Sequence, residues 1–391
     1  MAPFKGPTAA EIQGAPWRKV NQEQIKDLTP QQIAELRAEN AAIARYIELA
    51  PEARSAVKAQ DWRRAKDLLH SLIAIAPYQW QLYQNLATML RSLHRNVEAI
   101  QVLEKGIQAA WYDDGLVKDQ KKFNSTVSQM IMLEGEAYDA SAQPAAAATQ
   151  YRKAIQINPK FALAYMMLCI AEYHNRNDDA AIDACTQGIA ADPAQPEYYQ
   201  ILAGMESNLE RYEDAIPVYE KGIRMAERKR EANQVSVSLP ARGMADMMSA
   251  EQVLLPEGDA AYKARAGQML LAEGNAYFQL KNYQQAAGLF ARAARWHDYP
   301  ALAYFNLCAT QFDVRKWKAA VEACDQAISS DAKMADAYYV KASALAGQAA
   351  EQGKVQSSQA VVALHRYLEL APDGAYAGDA RALLRELSGG D

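Results

Sequence analysis

The chain has 391 residues, 23% of them charged and 50% hydrophobic, with a formal net charge of −5. That balance is ordinary for a folded domain and lacks the basic excess with which nucleic-acid proteins meet phosphates; the run Arg228, Lys229, Arg230 reads as a solvated helix end. No stretch approaches about 18 uninterrupted apolar residues, which excludes a membrane-spanning helix, and Met1 to Gly14 lacks the apolar core of a secretory signal.

Residues 1–28, with Pro3, Pro7, Gly14 and Pro16, are expected to form an extended tail. Thr29-Pro30-Gln31-Gln32 then reads as an N-cap with proline in the first turn. The helix it opens is expected to run to Ala50 and to end at Pro51. Beyond it a period of 34 residues sets in: Tyr165 returns as Tyr199, and Tyr304 as Tyr338. Ala181, Ala215, Ala320 and Ala360 centre a second helix in each unit, and Pro77, Pro159, Pro193 and Pro372 close units. One such unit cannot bury its own apolar face, so units must stack.

The first unit, 46–79, has a degraded leading helix, but Trp62, Ala65, Leu69 and Leu72 keep helical spacing in its second. The second, 80–113, carries Tyr83, Leu86, Ala87, Ala99 and Leu103, and a long connection follows at 112–127. Units three to five, at 128–161, 162–195 and 196–229, are marked by Gly135 and Tyr151, Cys169 and Cys185, and Ala203 and Tyr219. The array 29–229 is thus expected to hold five units. A further repeat hidden in the offset of about 71 residues that follows would put Pro240 and Pro256 inside helices at a cost of about 3 kcal/mol each. Residues 230–265 therefore read as an insertion with one short helix, Met244–Leu255, which either adapts to a contact or folds back over apolar surface. Residues 266–391 carry units six to eight, with markers Gly274, Phe290, Cys308, Trp317, Cys324, Leu364 and Tyr367, and a capping helix, Ala375–Leu387.

Gly274-Asn275-Ala276-Tyr277-Phe278 and Tyr219-Glu220-Lys221-Gly222-Ile223 place small and aromatic residues as tetratricopeptide repeats do, and the chain resembles that family over about 300 residues. The ending Tyr367-Leu368-Glu369-Leu370-Ala371-Pro372-Asp373-Gly374 is similar to the tail of a group of bacterial tetratricopeptide proteins that are often exported. The resemblance implies an all-α fold, a right-handed superhelical solenoid of about eight helix-turn-helix units with a C-terminal capping helix. It further implies a non-enzymatic scaffold that binds a protein or peptide partner, with no cofactor. Two other roles stay open: self-association into filaments, and an accessory subunit that docks a catalytic or secretion partner. The P-loop, dinucleotide-binding and zinc-protease motifs are absent from the sequence, and His70, His94, His174, His297 and His365 are scattered over different units.

In such a solenoid the leading helices line the concave face. Register positions facing it give Gln84, Thr88 and Arg91 in unit two, and Met166, Ile170, Tyr173 and His174 in unit four. Unit five adds Gln200 and Asn208, unit six Leu271, Asn275, Phe278 and Gln279, and unit seven Phe305, Phe312 and Asp313. This lining is aromatic and amide-rich, suited to an extended or helical peptide held by apolar pockets and amide hydrogen bonds.

The cysteines form two pairs of equal spacing, Cys169 with Cys185 and Cys308 with Cys324, at equivalent places in their units. Helix axes about 8–10 Å apart bring Cα atoms to about 4–6 Å, within disulfide reach. Each pair is read as a disulfide or as two small buried hydrophobes; two thiols without a histidine at ligand spacing make a poor metal site. Bridging places the protein in an oxidising compartment, periplasmic or extracellular; free thiols place it in the cytoplasm.

Overall fold

The computed structural model describes residues 29–237, 259–296, 300–354 and 357–388; the expected tail, the short helix Met244–Leu255 and His297 lie outside them. Among the described residues there are 18 helices and no strand. Two compact units divide the chain between Ala191 and Asp192. In the first, α1 (Pro30–Lys58) packs on α2 (Trp62–Ile75), and α3 (Trp80–Ser92) on α4 (Asn96–Trp111). The short α5 (Asp114–Lys118) follows, then α6 (Gln120–Asp139) on α7 (Pro144–Ile157) and α8 (Ala162–His174) on α9 (Asp178–Ala191). In the second, the pairs are α10 (Pro196–Asn208) with α11 (Tyr212–Val237), and α12 (Asp259–Gln279) with α13 (Tyr283–Trp296). They continue with α14 (Pro300–Asp313) and α15 (Trp317–Ser330), then α16 (Ala335–Glu351) and α17 (Ser358–Leu370), and end in α18 (Ala377–Leu387).

In two of the pairs the helices meet where one has no side chain. A Cβ on Gly135 would stand 2.4 Å from the Tyr151 ring, and one on Gly274 would stand 2.6 Å from the Phe290 ring. Tyr151 and Phe290 are fully buried there, each removing a large apolar surface from water. One period on, the same two places hold Cys169 with Cys185 and Cys308 with Cys324, whose Cα atoms are 5.1 Å apart in both pairs and whose sulfurs lie at disulfide distance. A covalent link thus replaces the glycine–aromatic contact in the repeat that follows each of these two. In the second unit the core runs on through Ala203, Tyr219, Met269, Leu270 and Phe290. At its end α18 buries Ala377, Ala380 and Leu387 while Arg381, Arg385 and Glu386 face water, which suits a cap.

The turn inside each pair has one repeated geometry. Gln60, His94, Ala142, Arg176, Glu210, Lys281 and Arg315 all adopt φ between 55° and 62°, and Gly353 takes 70° at the corresponding place of the last pair. The next amide bonds back five residues, as in Asn177 N–H to Glu172 O at 2.9 Å and Lys354 N–H to Ala349 O at 2.9 Å. This is the Schellman ending, which glycine normally supplies.

Two expectations need correction. Pro51 does not end the first helix, which runs unbroken from Pro30 to Lys58. Pro51 is exposed, so water can satisfy the carbonyl it frees, while Ala53 and Ala56 beyond it are buried. The stretch 112–127 is mostly helical: Asp113 Oδ1 accepts the Leu116 N–H at 3.0 Å to open α5, and Asp119 Oδ1 accepts the Lys122 N–H at 3.0 Å to open α6. Leu116 and Phe123 anchor it in the core, and Phe123 meets Trp111 edge-on at 4.6 Å. Farther on, α11 continues to Val237 and α12 begins at Asp259, so both enter the span 230–265.

Candidate functional site

Leading helices of neighbouring repeats reach one another: α3 touches α6 and α6 touches α8 in the first unit, and α10 touches α12 and α14 touches α16 in the second. Among the described residues, successive second helices make no comparable approach. Helices that crowd on one side and spread on the other put that crowded side on the inside of a local curve. Each unit therefore offers a leading-helix face, and the candidate residues sort onto the two faces separately.

On the first unit's face, Gln84 is half-buried and Thr88 exposed, its hydroxyl donating to Gln84 O at 2.9 Å. Arg91 is committed to an ion pair with Glu136 of α6. Ile170 and Tyr173 are half-buried and His174 is exposed. Met166 is a correction: it is 1% exposed, with its sulfur 2.6 Å from where a Gly188 Cβ would be. It fills the space that Gly188 leaves and offers nothing to a partner.

The second unit's face is tied by amides. The Gln200 side chain accepts from Arg265 Nη1 at 3.0 Å and donates to Gln268 Oε1 at 3.1 Å, while Arg265 Nε pairs with Glu197 at 2.9 Å. Asn306 Nδ2 donates to Asn275 Oδ1 at 3.2 Å. Asn208, Gln279 and Asp313 are exposed, whereas Leu271 is buried. Phe278 and Phe312 each turn an edge toward the first aromatic of the following helix, Tyr283 at 5.3 Å and Trp317 at 5.4 Å, so both brace their own repeat. Phe305 is half-buried and neighbours Leu302, which is half-exposed at 50%. These two give this face an accessible apolar surface.

Sequence reasoning passed over Arg265, Gln268 and Asn306. Gln268 stands at the second register position of its repeat, equivalent to Leu302 one repeat on, so its signal was present. Arg265 lies on the turn that extends α12 ahead of the regular repeat, and no period points to it.

Several acids lie within the helix pairs. Burial, then the like charge of Glu104, pushes the Glu134 carboxyl up to about 8, with Lys153 opposing. Burial, then Glu220, pushes Glu273 up to about 7 against Arg292 and Arg224. Burial also raises Asp139, although it accepts the Tyr151 hydroxyl at 2.7 Å, and the same burial raises Tyr151 itself. Glu172, 1% exposed in its side chain, accepts from Arg152 and from Asn177 Nδ2 at 2.9 Å. Among the described residues no three His, Cys, Asp or Glu side chains are grouped to hold a metal, and no helix is long and apolar enough to cross a membrane.

Comparison with known proteins gives the fold a family. Residues 132–196 match one tetratricopeptide repeat family model and residues 196–229 match another. No curated protein matches the chain. Among solved structures, the C-terminal part of a TPR repeat-containing protein from Cytophaga hutchinsonii aligns with a TM-score of 0.51 at 17% identity, over 75% of this chain and 97% of that one. YrrB, described as a TPR protein with an unusual peptide-binding site, aligns at 0.42 and 16% identity over 60% and 99% of the two chains. The Pseudomonas aeruginosa protein pilF aligns at 0.42 and 14% identity over 66% and 98%. Helices pair in succession through the described residues and repeat models match 132–229, so the chain carries tetratricopeptide repeats.

Proposed function

We propose that this protein is a non-enzymatic scaffold that holds an extended or helical segment of a partner polypeptide against its leading-helix faces. The observation that carries this reading is the second unit's face. There Gln200, Gln268, Asn275 and Asn306 form amide pairs between neighbouring leading helices, with the half-exposed Leu302 and Phe305 beside them. Amides that already pair with one another can re-aim toward a peptide backbone at little desolvation cost, and the apolar pair supplies an anchor. The buried cysteine pairs at disulfide distance favour a periplasmic or extracellular site of action over a cytoplasmic one.

The test is co-purification from the native host with wild type, Phe305→Asp and Val362→Asp. Val362 is 69% exposed on the second helix α17, away from the proposed face. A polypeptide that accompanies wild type and Val362→Asp but not Phe305→Asp supports the reading. Undiminished capture by Phe305→Asp removes it.

A further inference from the structure

The chain repeats itself at a second, longer interval. Gln129-Met130, Glu134-Gly135, Ala137-Tyr138, Ala162-Leu163-Ala164-Tyr165, Leu168-Cys169 and Ala184-Cys185 recur 139 positions on. There they are Gln268-Met269, Glu273-Gly274, Ala276-Tyr277, Ala301-Leu302-Ala303-Tyr304, Leu307-Cys308 and Ala323-Cys324. Two helix pairs of the first unit thus have a counterpart in the second. Most of the shared residues are packing, and packing alone accounts for them. Glu134 and Glu273 are different.

Both are only 4% exposed. At the same register four other leading helices carry Leu86, Leu168, Leu202 and Leu307, and α16 carries Lys341, so the fold has no need of a carboxyl there. Their surroundings are doubled too. The preceding second helices read Glu104-Lys105-Gly106 and Glu220-Lys221-Gly222, and the following ones supply Lys153 and Arg292, again 139 apart. Glu104 faces Glu134 from α4, and Lys153 from α7. Glu220 and Arg224 face Glu273 from α11, and Arg292 from α13. The cations are exposed and partly engaged elsewhere: Arg224 lies 3.7 Å from Glu220, and Arg292 lies 3.6 Å from Glu227. Glu134 Oε1 is buried without a hydrogen-bond partner. An ionised carboxylate in such a place is costly, and a second carboxylate opposite adds repulsion.

We propose that Glu134 and Glu273 are proton-held joints: with the proton bound, α6 closes on α4 and α12 on α11, and its loss to solvent opens each interface so that the carboxylate reaches water. Because a repeat contacts only its neighbours, each opening stays local.

Linkage fixes the direction. The closed states hold a proton up to about 8 at Glu134 and about 7 at Glu273, while a solvated glutamate releases it near the ordinary value of 4.5. The closed form is therefore fully stable below the ordinary value. It loses stability as pH rises through that window and levels off above the raised values.

Amide exchange of the full chain, corrected for intrinsic rates and followed from about pH 5 to about pH 9, tests this. In wild type the opening constant for the α4 and α6 amides should rise by up to about tenfold per pH unit and then level off. In Glu134→Gln, and in Glu134→Leu, which installs the residue used in sister repeats, that rise should vanish while the α11 and α12 amides keep theirs. A flat wild-type profile, or an unchanged slope in both variants, overturns the proposal.

Discussion

Replacing Ala142 by glycine should stabilise the repeat formed by α6 and α7, although the change removes a methyl group and inserts glycine next to a helix. Ala142 has φ 55° and is exposed, so its Cβ contributes strain and little packing. A left-handed backbone costs an L-residue about 1–2 kcal/mol, whereas glycine gives up about 0.5–1 kcal/mol in extra chain entropy on folding. The difference favours glycine by about 0.5–1 kcal/mol, a factor of about two to five in a local opening equilibrium. Gly353 offers the reverse experiment: φ is 70° and nothing lies within 4 Å of a Cβ placed there, so Gly353→Ala tests the backbone alone. Because an array of repeats need not unfold in one step, the readout should be local. The Gln143 amide, bonded to Tyr138 O at 3.0 Å, should exchange more slowly in Ala142→Gly, and the Lys354 amide faster in Gly353→Ala. Faster exchange in the first variant, or no change in the second, would refute the reasoning.

The other predictions concern packing and the cysteines. Gly135→Ala should lower the urea midpoint, since a Cβ 2.4 Å from the Tyr151 ring forces overpacking worth about 1–3 kcal/mol against a helix-propensity gain of about 1 kcal/mol. Gly288→Ala, with nothing within 4 Å, should raise it by that propensity gain; movement of both midpoints in the same direction would contradict the contact argument. The four cysteines, all 0% exposed, should resist reductant and alkylation in the native protein and take label only after reduction in denaturant. Four thiols free in denaturant without reductant would dismiss the bridges. Cys169→Ala should cost about 3 kcal/mol by releasing a loop whose ends are 16 residues apart.

The helix pairs were legible because their contacts are periodic and chemically specific. Gly135 beneath Tyr151, Gly274 beneath Phe290 and the two cysteine pairs all stand at one register, so the 34-residue spacing exposes them together. The turns were not legible. Gln60, His94, Ala142, Arg176, Glu210, Lys281 and Arg315 share a backbone conformation without sharing a side chain, and only Gly353 carries the usual signal. Stacking of the two helices sets φ there and overrides local preference. Pro51 misled for a related reason: a proline on the exposed side of a helix frees a carbonyl that water can reach, so burial of Ala53 and Ala56 decides the outcome.

Register locates a face, but the opposing residue decides whether a side chain stays on it. Met166 and Phe305 occupy the same position of their leading helices, 139 residues apart. The second helix places Gly188 opposite Met166, and the flexible thioether folds into the space and is lost to the surface. The counterpart of Gly188 is Ala327, whose methyl already occupies that space, and the stiffer Phe305 remains half-exposed. One methyl group on the supporting helix thus decides whether the leading helix presents a contact or buries it. A partner reading these faces would be selected as much by the small residues behind the groove as by the aromatics within it. Ala327→Gly, by reopening that space, should draw Phe305 inward and weaken capture without altering any surface residue.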